Sequence, residues 1–173
     1  DAALARTGEP VPAVLVEKLA TFQLEDGSFS WGPDGDPDVD MTALGMLALM
    51  AADETTMLGE AIDWAAQAQQ ADGSWVSWNI VNATAILGAS LTTAGIDTAD
   101  AVAYLEGEQQ SSGAFLNGTR EDMMATMQAT LLLAGVSYLD VAWDPTATAP
   151  SPEPSATPEP SVTPEPSATG GTP

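Results

Sequence analysis

An all-α fold of helical hairpins carried ahead of a Pro-rich tail is what this sequence predicts, and three observations predict it. A Gln-rich stretch followed by a Gly turn and an aromatic residue occurs three times before residue 143. Each copy lies between segments with apolar residues at helical spacing. After Trp143 the composition collapses to little besides Pro, Ser, Thr, Glu, Ala and Gly.

The three copies read Gln23-Leu24-Glu25-Asp26-Gly27-Ser28-Phe29, Gln70-Ala71-Asp72-Gly73-Ser74-Trp75 and Gln110-Ser111-Ser112-Gly113-Ala114-Phe115. Their glycines stand 46 and then 40 residues apart, room for two helices and two loops per repeat. Before each marker an amphipathic segment is expected to form an outer helix. Val11–Gln23 carries Val14, Leu15, Leu19 and Phe22, Gly59–Gln69 carries Ile62, Trp64, Ala65 and Ala68, and Thr98–Gln110 carries Ala101, Val102 and Leu105, with Thr98 as cap. After each marker comes a more apolar, Ala-rich segment: Asp40–Ala52, Asn79–Ala94 and Glu121–Gly135. Helices apolar on most faces belong inside. Gly95 and Gly135 stand where helix C-caps are expected. Three hairpins of about six helices follow, with the inner helices parallel and their N-termini gathered on one rim. That rim carries Asp36, Asp38, Asp40, Trp78, Asn79, Asn82, Glu121 and Asp122.

The domain is thus assigned to residues 1–143 and the tail to 144–173. In the tail PEPSAT, PEPSVT and PEPSAT repeat with a period of six. Pro at that density blocks helix and sheet and predicts a disordered, extended stalk or linker reaching roughly 90 Å. Its Ser and Thr suit O-glycosylation, which together with the acidity points to an extracellular or cell-surface protein. The chain starts at Asp1 on sequence that already looks mid-domain, as expected of a fragment or processed product, and no membrane span is visible.

Composition excludes several functions. Three basic residues face 25 acidic ones, a net charge of −22. Such a surface repels phosphate backbones and anionic membranes, so neither nucleic acid nor a lipid surface is an expected partner. Without Cys or His there is no disulfide, no Cys–His or Ser-His-Asp catalysis and no Cys/His zinc site. The Asp34, Asp36, Asp38 and Asp40 run has some of the spacing of a Ca²⁺ loop but lacks its Gly and terminal Glu, and no metal is assigned.

The marker resembles the Gln-Trp repeat of the prenyltransferase and squalene-cyclase superfamily over residues 11–143. The resemblance implies an α/α toroid, of which three hairpins are about half; an upstream half or a second copy would complete it. Thr126–Val141 resembles, more narrowly, the end of the helical domain in cobalamin-binding proteins of the intrinsic factor and transcobalamin type. It keeps Gln128, Gly135, Ser137, Tyr138, Leu139 and Asp140, with Val136 where a basic residue is usual. Asp40–Leu49 resembles an inner helix of the same family. Prenyltransferase and thioester activities, which need Cys or His, fall away.

Three functions follow. The first is a non-catalytic surface toroid binding a small ligand, by resemblance cobalamin or a related corrinoid, with no other cofactor. Asp40, Asn82 and Gln128 would supply polar contacts. Trp31 and Trp78, lying beyond the marker position, would line the mouth of a cavity. The second is a terpene-cyclase-like half-domain in which Asp38 and Asp40, two of the three carboxylates of that family's acid motif, protonate a substrate. Capping of the following helix is the competing role for both. The third is a protein-interaction scaffold, with a filled core and an exposed apolar seam.

Overall fold

The protein is described by a computed structural model covering residues 10–136 and Leu139. Six helices lie in this part: α1 (Ala13–Ala20), α2 (Val39–Ala51), α3 (Thr55–Ala68), α4 (Ile80–Thr93), α5 (Ala99–Glu108) and α6 (Met123–Leu133). The expected all-α class holds with one addition. A two-stranded antiparallel hairpin, β1 (Phe115–Asn117) and β2 (Arg120–Asp122), leads into α6. Gly118, at φ 62°, opens its two-residue turn. No helix among the described residues is long and apolar enough to cross a membrane. The readings made for residues 1–9, for the Pro-rich tail with its boundary at 143, and for Ser137, Tyr138 and Asp140 lie outside the described residues.

Helix α4 is the core. Ten of its 14 residues are buried, against two each in α3 and α5. It packs between α2 and α6, and its small residues set how closely they approach. Ser90 Oγ donates to the Ala43 carbonyl of α2 at 3.1 Å and to the Ile86 carbonyl of its own helix at 2.9 Å. A Cβ on Gly88 would lie 2.5 Å from a Leu132 methyl of α6.

One threonine fixes each marker loop to the helix after it. The backbone N–H groups of Phe29, Trp75 and Phe115 donate to Oγ1 of Thr42, Thr84 and Thr126 at 2.9, 3.1 and 3.0 Å. All three aromatics are at most 2% exposed, so a donor left unpaired there would be costly. Trp75 adds an Nε1–H bond of 2.8 Å to the Ala65 carbonyl, tying its loop to the preceding helix as well.

The turns themselves repeat. Gly27, Gly73 and Gly113 have φ of 90°, 88° and 86°, a region that favours glycine. A glutamine Nε2 donates to each of their carbonyls at 3.0 Å. Those glutamines are Gln23, Gln69 and Gln109, which corrects the expected register: Gln70 and Gln110 instead donate back to Ala68 and Glu108. Each of the first two turns sits on the next outer helix, since a Cβ on Gly27 or Gly73 would lie 2.3 Å from the carbonyl oxygen of Glu60 or Asp100.

The helix ends account for their own orphan groups. Asp38, Asn79 and Asp122 accept from Met41, Asn82 and Ala125 N–H at 2.8–3.1 Å. Glu54 caps α3. Thr98 occupies the N-cap position of α5 but does not cap it; its hydroxyl is held by Thr92 at 2.8 Å, and Asp97 accepts from Ala99 N–H. At the other end, Gly95 and Gly135 close α4 and α6 with paired bonds to the last turn, the expected C-caps. Asp53 makes the same closure for α2 at φ 54°, without being glycine.

Candidate functional site

The N-termini of α2, α4 and α6 each present a capping Asp or Asn, and the loops entering them carry two tryptophans. Asp38 spends both carboxylate oxygens locally: Oδ1 caps Met41, and Oδ2 accepts from Trp31 Nε1–H at 3.1 Å. Trp31, held by this bond, is 75% exposed. Asp40, half-buried in the first turn of α2, accepts a long bond of 3.4 Å from Ser77 in the next marker loop. Burial raises its carboxyl above the usual carboxylate range, the neighbouring Asp38 charge adds to that, and the Ser77 hydroxyl opposes both. Trp31, Asp38, Asp40 and Ser77 therefore form one linked group.

Trp78 lies elsewhere. It is 95% exposed and lines an open groove of about 290 Å³ with Asn79, Tyr104, Glu108, Leu116 and Asn117. That groove is built by the start of α4, the end of α5 and β1. Burial and the nearby Glu108 and Asp72 charges raise the Tyr104 hydroxyl above its ordinary value; as a phenol it can both donate and accept a hydrogen bond at neutral pH.

Three amide atoms near this rim are buried without a hydrogen-bond partner: Asn79 Nδ2, Asn82 Oδ1 and Gln128 Oε1. Buried polar groups are nearly always paired, so each such atom calls for an explanation. All three residues are partly exposed overall, so rotation of a side chain can carry its amide to the surface. Asn82 stands 42 residues after Asp40, matching the spacing of Thr42 and Thr84, so the two occupy the same position in successive inner helices. Gln128 stands a turn deeper in α6. Among the described residues no hydrogen bond joins Asp40, Asn82 and Gln128 to one another.

The run Asp34, Asp36, Asp38 and Asp40 does not converge. Among the described residues no group of three or more carboxylates is placed to hold a metal ion. Ser77, Tyr104 and Asn117 are the site residues that sequence reasoning passed over. The Asn117-Gly118 pair that opens the β-hairpin turn was the available signal for the last of these.

No protein-family model matches the chain, and no curated protein matches it closely enough to mark a relative.

Proposed function

We propose that this chain is a non-catalytic, extracellular or cell-surface ligand-binding domain, part of an α/α toroid, whose ligand lies across the rim where α2, α4 and α6 begin. The observation that carries this reading is the set of partnerless amide atoms at Asn79, Asn82 and Gln128, with Trp31 and Trp78 exposed on the loops that lead into α2 and α4. A ligand rich in amides would satisfy such groups, and the indoles would cover its apolar faces. A corrinoid has that chemistry, a flat apolar macrocycle edged with amides. The resemblance of Asp40–Leu49 and Thr126–Val141 to cobalamin-binding helices names cobalamin as the first ligand to try.

The cyclase-like alternative draws less support. Asp38 is committed to a cap and an indole N–H, and the groove beside the rim, though it holds Trp78 and Tyr104, is open rather than enclosed. The scaffold alternative is favoured by the exposed methionines of α6, Met123, Met124 and Met127.

Co-elution decides between them. The full chain is mixed with cobalamin, passed through size exclusion and read by visible absorbance. Coloured protein that loses its colour in Gln128→Ala supports the ligand reading. Colourless protein removes cobalamin and leaves the scaffold reading standing.

A further inference from the structure

The repeat shows which surfaces successive hairpins use on one another, and so which two remain unused. Thr42, Thr84 and Thr126 make the same bond, so residues 42 apart are equivalent in α2, α4 and α6. Val39, Ala43 and Met46 of α2, and Val81, Ala85 and Gly88 of α4, are all buried. Ala43 meets Ser90 of the following inner helix, and Gly88 meets Leu132 of the next. The equivalent residues of α6 are Met123, Met127 and Thr130, and all three are exposed, Met123 at 79%.

The turns tell the same story. Gly27 sits on the Glu60 carbonyl and Gly73 on that of Asp100, but Gly113, at the same φ, has nothing within 4 Å. Glu60 and Asp100 each stand nine residues before their marker glutamines, Gln69 and Gln109. The residue nine before Gln23 is Val14, which is 65% exposed. Likewise Ser90 and Leu132, which face the preceding helix, correspond to Ala48 in α2. One turn before Ala48, the exposed Leu44 lines an apolar groove of about 320 Å³ with Leu15, Leu19 and Met41. Among the described residues the chain thus carries one unfilled half of its own repeating interface on α6 and the complementary half on α1 and α2.

We propose that a second copy of this chain docks head to tail across these edges. The Gly113 turn of one copy seats on the backbone of Val14 of the partner subunit, and Thr130 faces Ala48 of the partner subunit. Three arguments select this occupant. The contact continues an interface that the chain already makes twice within itself. Residues 144–173 hold nine prolines, a composition that disfavours a further helix of the repeat. Although the chain carries a net charge of −22, α6 itself has no charged residue, and Glu121 and Asp122 border its exposed face only at the N-terminal end. Because the two edges differ, the contact is heterologous and assembles copies in rings or rows.

The test uses the full chain, which has no cysteine of its own. Light scattering at high micromolar concentration is expected to give the mass of two or more copies. On oxidation, Thr130→Cys protein mixed with Ala48→Cys protein is expected to form the mixed disulfide in preference to either self-pair. Met127→Glu, an exposed substitution, is expected to keep the circular dichroism spectrum and weaken association by about a hundredfold, as a charge placed in an apolar seam should. A monomer at all concentrations, self-pairing of Thr130→Cys over the mixed product, or association indifferent to Met127→Glu would each overturn the proposal.

Discussion

Replacing Gly73 by Ala places a methyl 2.3 Å from the Asp100 carbonyl oxygen, while the same change at Gly113 meets nothing within 4 Å. The backbone is alike at both sites, with φ of 88° and 86°. An L residue in that region costs about 1 kcal/mol, and this cost is common to the two variants. At Gly73 the turn and α5 must also move apart, an overpacking cost of about 2 kcal/mol. Gly73→Ala is therefore expected to lose about 3 kcal/mol and Gly113→Ala about 1 kcal/mol. Against a typical stability of about 5–15 kcal/mol both remain folded and measurable. Urea titration followed by tryptophan emission, at concentrations low enough to keep the chain monomeric, gives both values. Equal losses would show that the marker turns do not seat on the following outer helices, and the repeat geometry would be wrong.

The loop-to-helix bond is open to the same method. Thr84→Val strands the buried Trp75 N–H and should cost about 1–3 kcal/mol, whereas Thr84→Ser keeps the acceptor and should cost about 1 kcal/mol by urea titration. Asp53 holds a left-handed C-cap that glycine fills in α4 and α6, so Asp53→Gly should gain about 1 kcal/mol, read as a higher midpoint in thermal melts. Asp40 has a folded pKa above its model-peptide value of 3.8, so the folded state binds its proton more tightly and Asp40 contributes less stability as pH rises through that raised value. Asp40→Asn should accordingly raise stability at pH 7 but not at pH 3, as paired denaturant titrations at the two pH values would show.

Much of this fold is legible in the sequence because its determinants are local. Gly27, Gly73 and Gly113 are readable as turns since each needs a positive φ, and the Ala-rich inner segments are readable as buried since they are apolar on most faces. The glutamine register was not readable. Gln69-Gln70 and Gln109-Gln110 each offer two adjacent amides, and only the position of the turn carbonyl selects the first. Thr98 failed as a cap for a similar reason, because Thr92 one loop earlier competes for its hydroxyl. The β-hairpin was hidden in a short stretch whose Asn117-Gly118-Thr119 also matches a glycosylation acceptor. At the rim, the capping roles of Asp38 and Asn79 follow from residue type and position. The partnerless atoms of Asn82 and Gln128 do not, since they depend on which neighbouring helices fail to offer them a donor.

Under the proposed function, the rim at the start of α2, α4 and α6 binds an amide-bearing ligand. The most direct test is a ¹⁵N correlation spectrum of the full chain titrated with cobalamin, following the side-chain amides of Asn79, Asn82 and Gln128 and the indole N–H groups of Trp31 and Trp78. Binding at the rim is expected to give saturable shifts at these resonances while the buried Trp75 indole stays still. A spectrum unchanged by cobalamin, or shifts confined to residues away from the rim, would contradict it.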